Sequence, residues 1–343
     1  VPDRRRKAWQ QDDDDRLLQR RICDLGLRLQ DTPVLQRRID RLRAELDARG
    51  LDRFRPHFWL SSEWFSPDGI PGVAIPFYLA HPRLTRLEEQ QMHLAEGASE
   101  TQCMKILRHE AGHAIDTAYR LSRRARWREL FGSRSTPYPQ TYRPRPGSRE
   151  HVNHLPAWYA QAHPAEDFAE TFAVWLGPAN RWRKQYAGWP ALKKLTYVDE
   201  LMTELQGMTA PIRTRKCIEP VRELRTTLAE HYEQRRAHYD DALPDIYDAQ
   251  LRRLFSDDPQ FSGAPSAAAL LRQSRRRIRS AVSRWTGMHP YAIDQVLQDL
   301  IDRCRTLKLR LAVDQAQAME GVLMMLAVHI TTYKYTGHHP VAL

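Results

Sequence analysis

The stretch MKILRHEAGHAIDTAYRL, residues 104–121, places His109 and His113 four residues apart, with Glu110 directly after the first. On an α-helix, residues four apart stand one above the other on one face, so two imidazoles can offer nitrogen to the same divalent cation. Glu110 falls roughly a hundred degrees around the helix, close enough to exchange a proton with a water at such an ion without ligating it. A catalytic zinc centre of this kind needs a third protein ligand and an open position. In AEDFAETFAVWL, Glu166 and Glu170 also stand four apart. One carboxylate can complete the ligand set; the other can accept the free ring N–H of a ligating histidine and so fix its tautomer. The bland alternatives are a polar helix in a chain with 14 histidines, and an acidic first turn favoured by the helix dipole. Two such helices in one chain make zinc the expected cofactor. Asp116, three residues past His113, lies on the ligand side of its helix; a structural tie is favoured there over an acceptor behind a ligand.

These residues need rigid elements to hold them. Met104, Leu107, Ala111, Ile115 and Ala118 form an apolar stripe along the first helix, expected over residues 99–122 and leaving the histidines on roughly the opposite side. The second helix is punctuated by Pro164 at its first position and Gly177 at its end, with Phe168, Phe172 and Trp175 as its apolar face. Between them, SRSTPYPQTYRPRPGSRE (residues 133–150) is rich in proline and arginine and is expected to be a long loop, a common seat of function.

Upstream, residues 13–49 repeat apolar positions at helical spacing: Leu17, Leu18 and Ile22, then Leu35, Ile39, Leu42 and Leu46. RPHFWLSSEWF and GVAIPFYLA resemble strands joined by the turn formers of SPDGIPG. Pro76 puts the second at a sheet edge, where an extended peptide could add by main-chain hydrogen bonds. Beyond residue 181 only helices are expected, ending in the apolar GVLMMLAVHI as a buried helix. No repeat of fixed period is present. The expected fold class is α+β, mostly helical: N-terminal helices over residues 1–50, a catalytic core over 51–205 with a small antiparallel sheet over the active-site helix, and a helical C-terminal region over 206–343.

Composition bounds the rest. With 343 residues, 42% hydrophobic and 28% charged, the chain is expected to be globular. A formal net charge of +11 favours anionic partners. The four cysteines, Cys23, Cys103, Cys217 and Cys304, form no C-x-x-C pair, so a disulfide framework or structural zinc knuckle is not expected. A cytoplasmic protein is expected, without a visible signal peptide or membrane span. RQSRRRIRSAVSRW (residues 272–285) is arginine-dense, but its arginines surround the helix instead of marking one face. It is read as a solvated helix, and nucleic acid is not an expected partner.

HEAGHAID … EDFAE resembles the gluzincin metallopeptidases, in which H-E-x-x-H is completed by a glutamate from a later helix. The combination looks most like the lethal-factor-like branch and a bacterial family of zinc-binding metallopeptidases. The specific motifs cover residues 103–178, with a looser likeness, including RPHFWL and IPFYLAHPRL, to about residue 205. The resemblance implies a zincin-like core with His109, His113 and Glu166 as zinc ligands, Glu110 as general base, and Glu170 buttressing a histidine. It also implies a transition-state role for Tyr159, seven residues before Glu166, with His151, His154 and His163 as nearby alternatives. Ala165 stands where thermolysin-like members carry asparagine, which argues against that branch. The expected activity is zinc-dependent hydrolysis of an unidentified peptide or protein substrate. The alternatives are a zinc amidohydrolase acting on another amide, and a non-catalytic, nucleic-acid-associated or scaffold protein with a structural zinc.

Overall fold

The computed structural model describes residues 7–139, 142, 145, 147–177, 181–238 and 248–336. It is mostly helical with two very small sheets, an α+β arrangement, and it divides into two compact units. The first comprises the chain up to Gln91 together with Ala95–His231, so the N-terminal helices belong with the motif helices. The second comprises Met92–Leu94 and Tyr232–Leu343.

In the first unit, α1 (Pro33–Ala48) begins with proline at its first turn and buries Leu35, Ile39, Leu42 and Leu46, the stripe expected from spacing. Strands β1 (His57–Ser61) and β2 (Gly72–Pro76) follow. They pair in parallel, Trp59 opposite Ala74, which corrects the expected antiparallel sheet. The turn formers of SPDGIPG do reverse the chain, but it is Phe65 that forms the antiparallel bridge, accepting the Ala74 N–H at 2.8 Å. Residues 62–64 therefore carry the chain from one side of β2 to the other. β2 is buried at every position, so it offers no free edge for an added peptide strand.

Helix α2 (Glu100–Tyr119) carries the first motif and packs against α1, β2 and the second motif helix. Ser99 caps its start by accepting the Gln102 N–H, and it ends at Arg120 in the left-handed region. Sequence spacing gave it one apolar face and one open face. In fact every residue from 106 to 119 is buried, because neighbours cover the polar side too. Next come α3 (Ala125–Phe131), α4 (Pro164–Leu176) and α5 (Ala191–Glu204). Trp127 and Phe131 of α3 hold Phe168 of α4, with ring centroids 5.7 and 5.4 Å away. Trp175 donates its indole N–H to Asp199 of α5 at 2.7 Å.

The α2–α4 crossing sets the site. A Cβ on Gly112 would stand 2.8 Å from the Ala169 Cα, so only glycine permits this approach. His109 and His113 lie three before and one after Gly112; Glu166 and Glu170 lie three before and one after Ala169. The two small residues thus let the backbones meet, and the four polar residues flank the meeting point.

The second unit is built from α6 (Ala267–Thr286), α7 (Pro290–Thr306) and α8 (Gln315–Thr336), with an antiparallel pair of two-residue strands, β3 (Phe255–Ser256) and β4 (Arg310–Leu311). Its core includes Leu271, Ile278, Leu297, Leu300, Leu326 and Ile330. α8 is not buried all round as expected: Ala318, Val322, Leu326 and Ile330 face the core, while Met324 and Val328 are exposed. Two arginines of the basic helix α6 are partly buried and paired, for Arg275 and Arg279 converge with His93 on the buried Asp294. Among the described residues no helix is long and apolar enough to cross a membrane.

Candidate metal centre

His109 and His113 leave α2 one turn apart and aim their Nε2 atoms at one point, 3.1 Å from each other. From α4, Glu166 Oε2 lies 3.0 Å from the His109 Nε2 and 3.2 Å from the His113 Nε2. Donors bound to zinc at 2.0–2.1 Å in a tetrahedron are separated by about 3.3 Å. The triangle has that size, so the three side chains can hold a metal ion with a fourth position left for solvent or substrate. Its chemistry also suits zinc: two imidazoles and a carboxylate, buried together.

The orientation of His109 is fixed from behind. Its Nδ1 sits 2.8 Å from Glu170 Oε1, a carboxylate that can only accept, so Nδ1 carries a proton and Nε2 is the nitrogen turned to the centre, free to ligate once it is deprotonated. Glu170 is fully buried, and its other oxygen accepts the Leu155 N–H at 2.8 Å. Glu166 is held likewise. Its Oε1, the oxygen turned away from the histidines, accepts the Tyr138 hydroxyl at 2.8 Å. The Tyr138 ring stacks on His163, centroids 3.8 Å apart. His163 accepts the Ala165 N–H through Nδ1, capping α4, and therefore donates from Nε2 to the Thr136 carbonyl. Tyr138 was missed from the sequence. The only signal was its place in the Pro- and Arg-rich loop, which gives no spacing relative to either motif helix.

Tyr159 lies against the centre, its ring centroid 5.6 Å from that of His109. Burial, then the charges of Glu166 and Glu110, push its hydroxyl far above the usual range, keeping it protonated and able to donate. The three alternative histidines turn elsewhere. His154 bonds the Lys105 carbonyl, His151 approaches Asp167, and His163 caps α4. Asp116 accepts the Ser122 N–H at 2.7 Å and also binds Arg134. It ties the end of α2 to the loop that carries Tyr138, and both its oxygens are engaged there, not on a ligating ring.

Electrostatics follow from the burial of three acids and two imidazoles in one place. Burial opposes charge on His109, but hydrogen bonds to Glu166 and Glu170 outweigh it and raise the ring to about 10. Burial would raise Glu166, but the charge of His113 and the hydrogen bonds of both histidines hold it far below the usual carboxylate range. Glu110 is buried beside them; burial raises its pKa, and the neighbouring histidines pull it down. A carboxylate with an elevated pKa is the type suited to taking up and returning a proton.

Residues 87–188 match the model of a family described as "putative zinc-binding metallo-peptidase". The match covers under a third of the chain and includes both motif helices and the loop between them. The metal named by that description is also the one this donor set fits, so zinc is the cofactor of the centre. No curated protein and no solved structure matches the chain.

Proposed function

We propose that the protein is a zinc-dependent peptidase of the gluzincin type, with His109, His113 and Glu166 as the ligands. The observation that carries this reading is the zinc-sized triangle of donor atoms with the buried carboxyl of Glu110 beside it. The zinc-binding metallopeptidase family match supports it independently. When bound, zinc supplies Lewis acidity, polarising a peptide carbonyl and lowering the pKa of a water molecule. Glu110 accepts a proton from the attacking water and returns it to the leaving amine nitrogen. The Tyr159 hydroxyl donates to the negative charge that grows on the carbonyl oxygen, as in the lethal-factor-like arrangement. Glu170 keeps the His109 proton on Nδ1, and Tyr138 fixes the outer oxygen of Glu166. A purely structural zinc has no use for a buried Glu110, which counts against the scaffold alternative.

The test is Glu110→Gln, which keeps size and hydrogen bonding but removes the base. Zinc content by elemental analysis should stay at the wild-type level, while cleavage of a diverse peptide library disappears. Undiminished cleavage by this variant would refute the assignment.

A further inference from the structure

Beyond His113 along α2, walled in part by the loop that leads to Tyr138, lies an open cavity of about 620 Å³. Its floor is the end of α2, through Asp116, Thr117 and Arg120, and one wall is Ser133, Arg134 and Ser135. Its lining holds four arginines (Arg120, Arg123, Arg128 and Arg134) against two carboxylates, Asp68 and Asp116. Arg134 is engaged with both carboxylates. The remaining three guanidinium groups are left without a carboxylate partner among the described residues.

The basic run RLSRRARWR (residues 120–128) is therefore sorted in space. Arg124 and Arg126 reach α5 and pair with Glu204 at 2.7 Å and Glu200 at 2.8 Å. Arg120, Arg123 and Arg128 line the cavity instead, with the hydroxyl-bearing residues Ser122, Ser133 and Ser135 among them. Arg120 has φ of 55° and ψ of 42°, a left-handed helix end where glycine is the easy choice. Keeping a long cationic side chain there runs against local backbone preference, a pattern that gathers at functional positions.

We propose that this cavity is a subsite for an anionic side chain, carboxylate or phosphoryl, of the peptide substrate. The inference rests on the peptidase reading above and adds a substrate class to it. Thr117 and Arg120 stand about 6 and 10 Å beyond His113 along the helix axis, at roughly 1.5 Å per residue. An extended peptide advances about 3.3 Å per residue, so the anionic residue sits roughly two to three residues from the bond that is cut. Ser135 lines the cavity and Tyr138 touches Glu166, so one short stretch of loop walls both sites. The arginines are confined to a single cavity, whereas a nucleic-acid backbone asks for an extended stripe.

The test compares the zinc-loaded full chain with two variants. The first is Arg120→Gly/Arg123→Gln/Arg128→Gln. The second, Arg124→Gln/Arg126→Gln, removes arginines that face α5. Peptide libraries carrying Glu, phosphoserine or Gln at positions two to three from the cut are offered for cleavage. The same peptides are titrated against Glu110→Gln protein by fluorescence anisotropy, in that background and in the two combined variants. Peptides with Glu or phosphoserine should be preferred over Gln about tenfold; the first variant should lose that preference and the second retain it. The ratio of Glu to phosphoserine peptides tells which anion is meant. Equal loss in both variants, no preference in the wild type, or stronger capture of an oligothymidine than of any peptide would overturn the subsite. Binding that depends on the three arginines with no peptide cleaved would sink the peptidase reading and leave the anion site standing. Cleavage without anionic preference would do the reverse. If the triple variant lacks a cooperative thermal transition, Arg128→Gln alone, on the exposed face of α3, is read in its place.

Discussion

Glu170 accepts the Nδ1 proton of His109 at 2.8 Å while its other oxygen is occupied by the Leu155 N–H. This carboxylate orients His109 by touching only the back of its ring. Glu170→Gln should lower zinc affinity by about 10- to 100-fold, measured by competition with a chelating dye, because the amide can present its N–H and favour the wrong tautomer. Unchanged affinity would show that His109 is oriented by packing alone.

The two tyrosines should separate by readout. Tyr138→Phe removes the hydrogen bond to the outer oxygen of Glu166, so zinc should dissociate faster, by about tenfold. Tyr159→Phe should leave zinc binding unchanged and lower kcat on the order of 10²-fold, the loss of one donor to the developing oxyanion. Stopped-flow zinc release and steady-state kinetics on both variants check this; a kcat loss confined to Tyr138→Phe would transfer the catalytic role to that residue.

Zinc uptake should expel a proton. The His109 ring is raised from 6.5 to about 10 in the metal-free fold by its two carboxylate partners, against the opposing effect of burial. Its contribution to the stability of that fold is fully present below about 6.5 and is lost as pH rises through about 10. Zinc requires the neutral ring, so between these values binding releases about one proton, and apparent affinity weakens as pH falls. Calorimetry at pH 8 in buffers of different ionisation enthalpy measures it, and zero release would mean that the pair holds no proton.

Gly112→Ala probes the helix crossing. The added methyl meets the Ala169 backbone at 2.8 Å, which cannot yield as a flexible side chain would. The variant should lose about 1–3 kcal/mol of stability by overpacking. Because the crossing sets the donor triangle, it should lose zinc affinity as well. Thermal unfolding with and without zinc tests both, and a neutral substitution would show that α2 and α4 have room to part.

The amphipathic spacing of α1, the Pro164 start and Gly177 end of α4, and both four-residue polar pairs were legible in the sequence, because each depends on neighbours within one or two turns. The parallel pairing of β1 and β2 was not, since it depends on which side of β2 the chain passes, and turn residues report only that it turns. The full burial of α2 escaped for a like reason: what covers its polar face comes from other elements. The exposed Met324 and Val328 show the converse, an apolar run that its unit buries on one side only.

Sequence by itself picked out His109, Glu110, His113, Glu166 and Glu170 as the candidates for chemistry, through helical periodicity and the donor types that zinc accepts. Periodicity left open which glutamate does which, the resemblance implied an answer, and the tertiary structure turns Glu166 to the two Nε2 atoms and Glu170 to the back of His109. Tertiary structure alone brought Tyr138 to Glu166 and sorted one arginine run into a paired face and a cavity wall. Those outcomes follow from where two helices cross and where a loop returns, and such long-range contacts leave no fixed spacing along the chain.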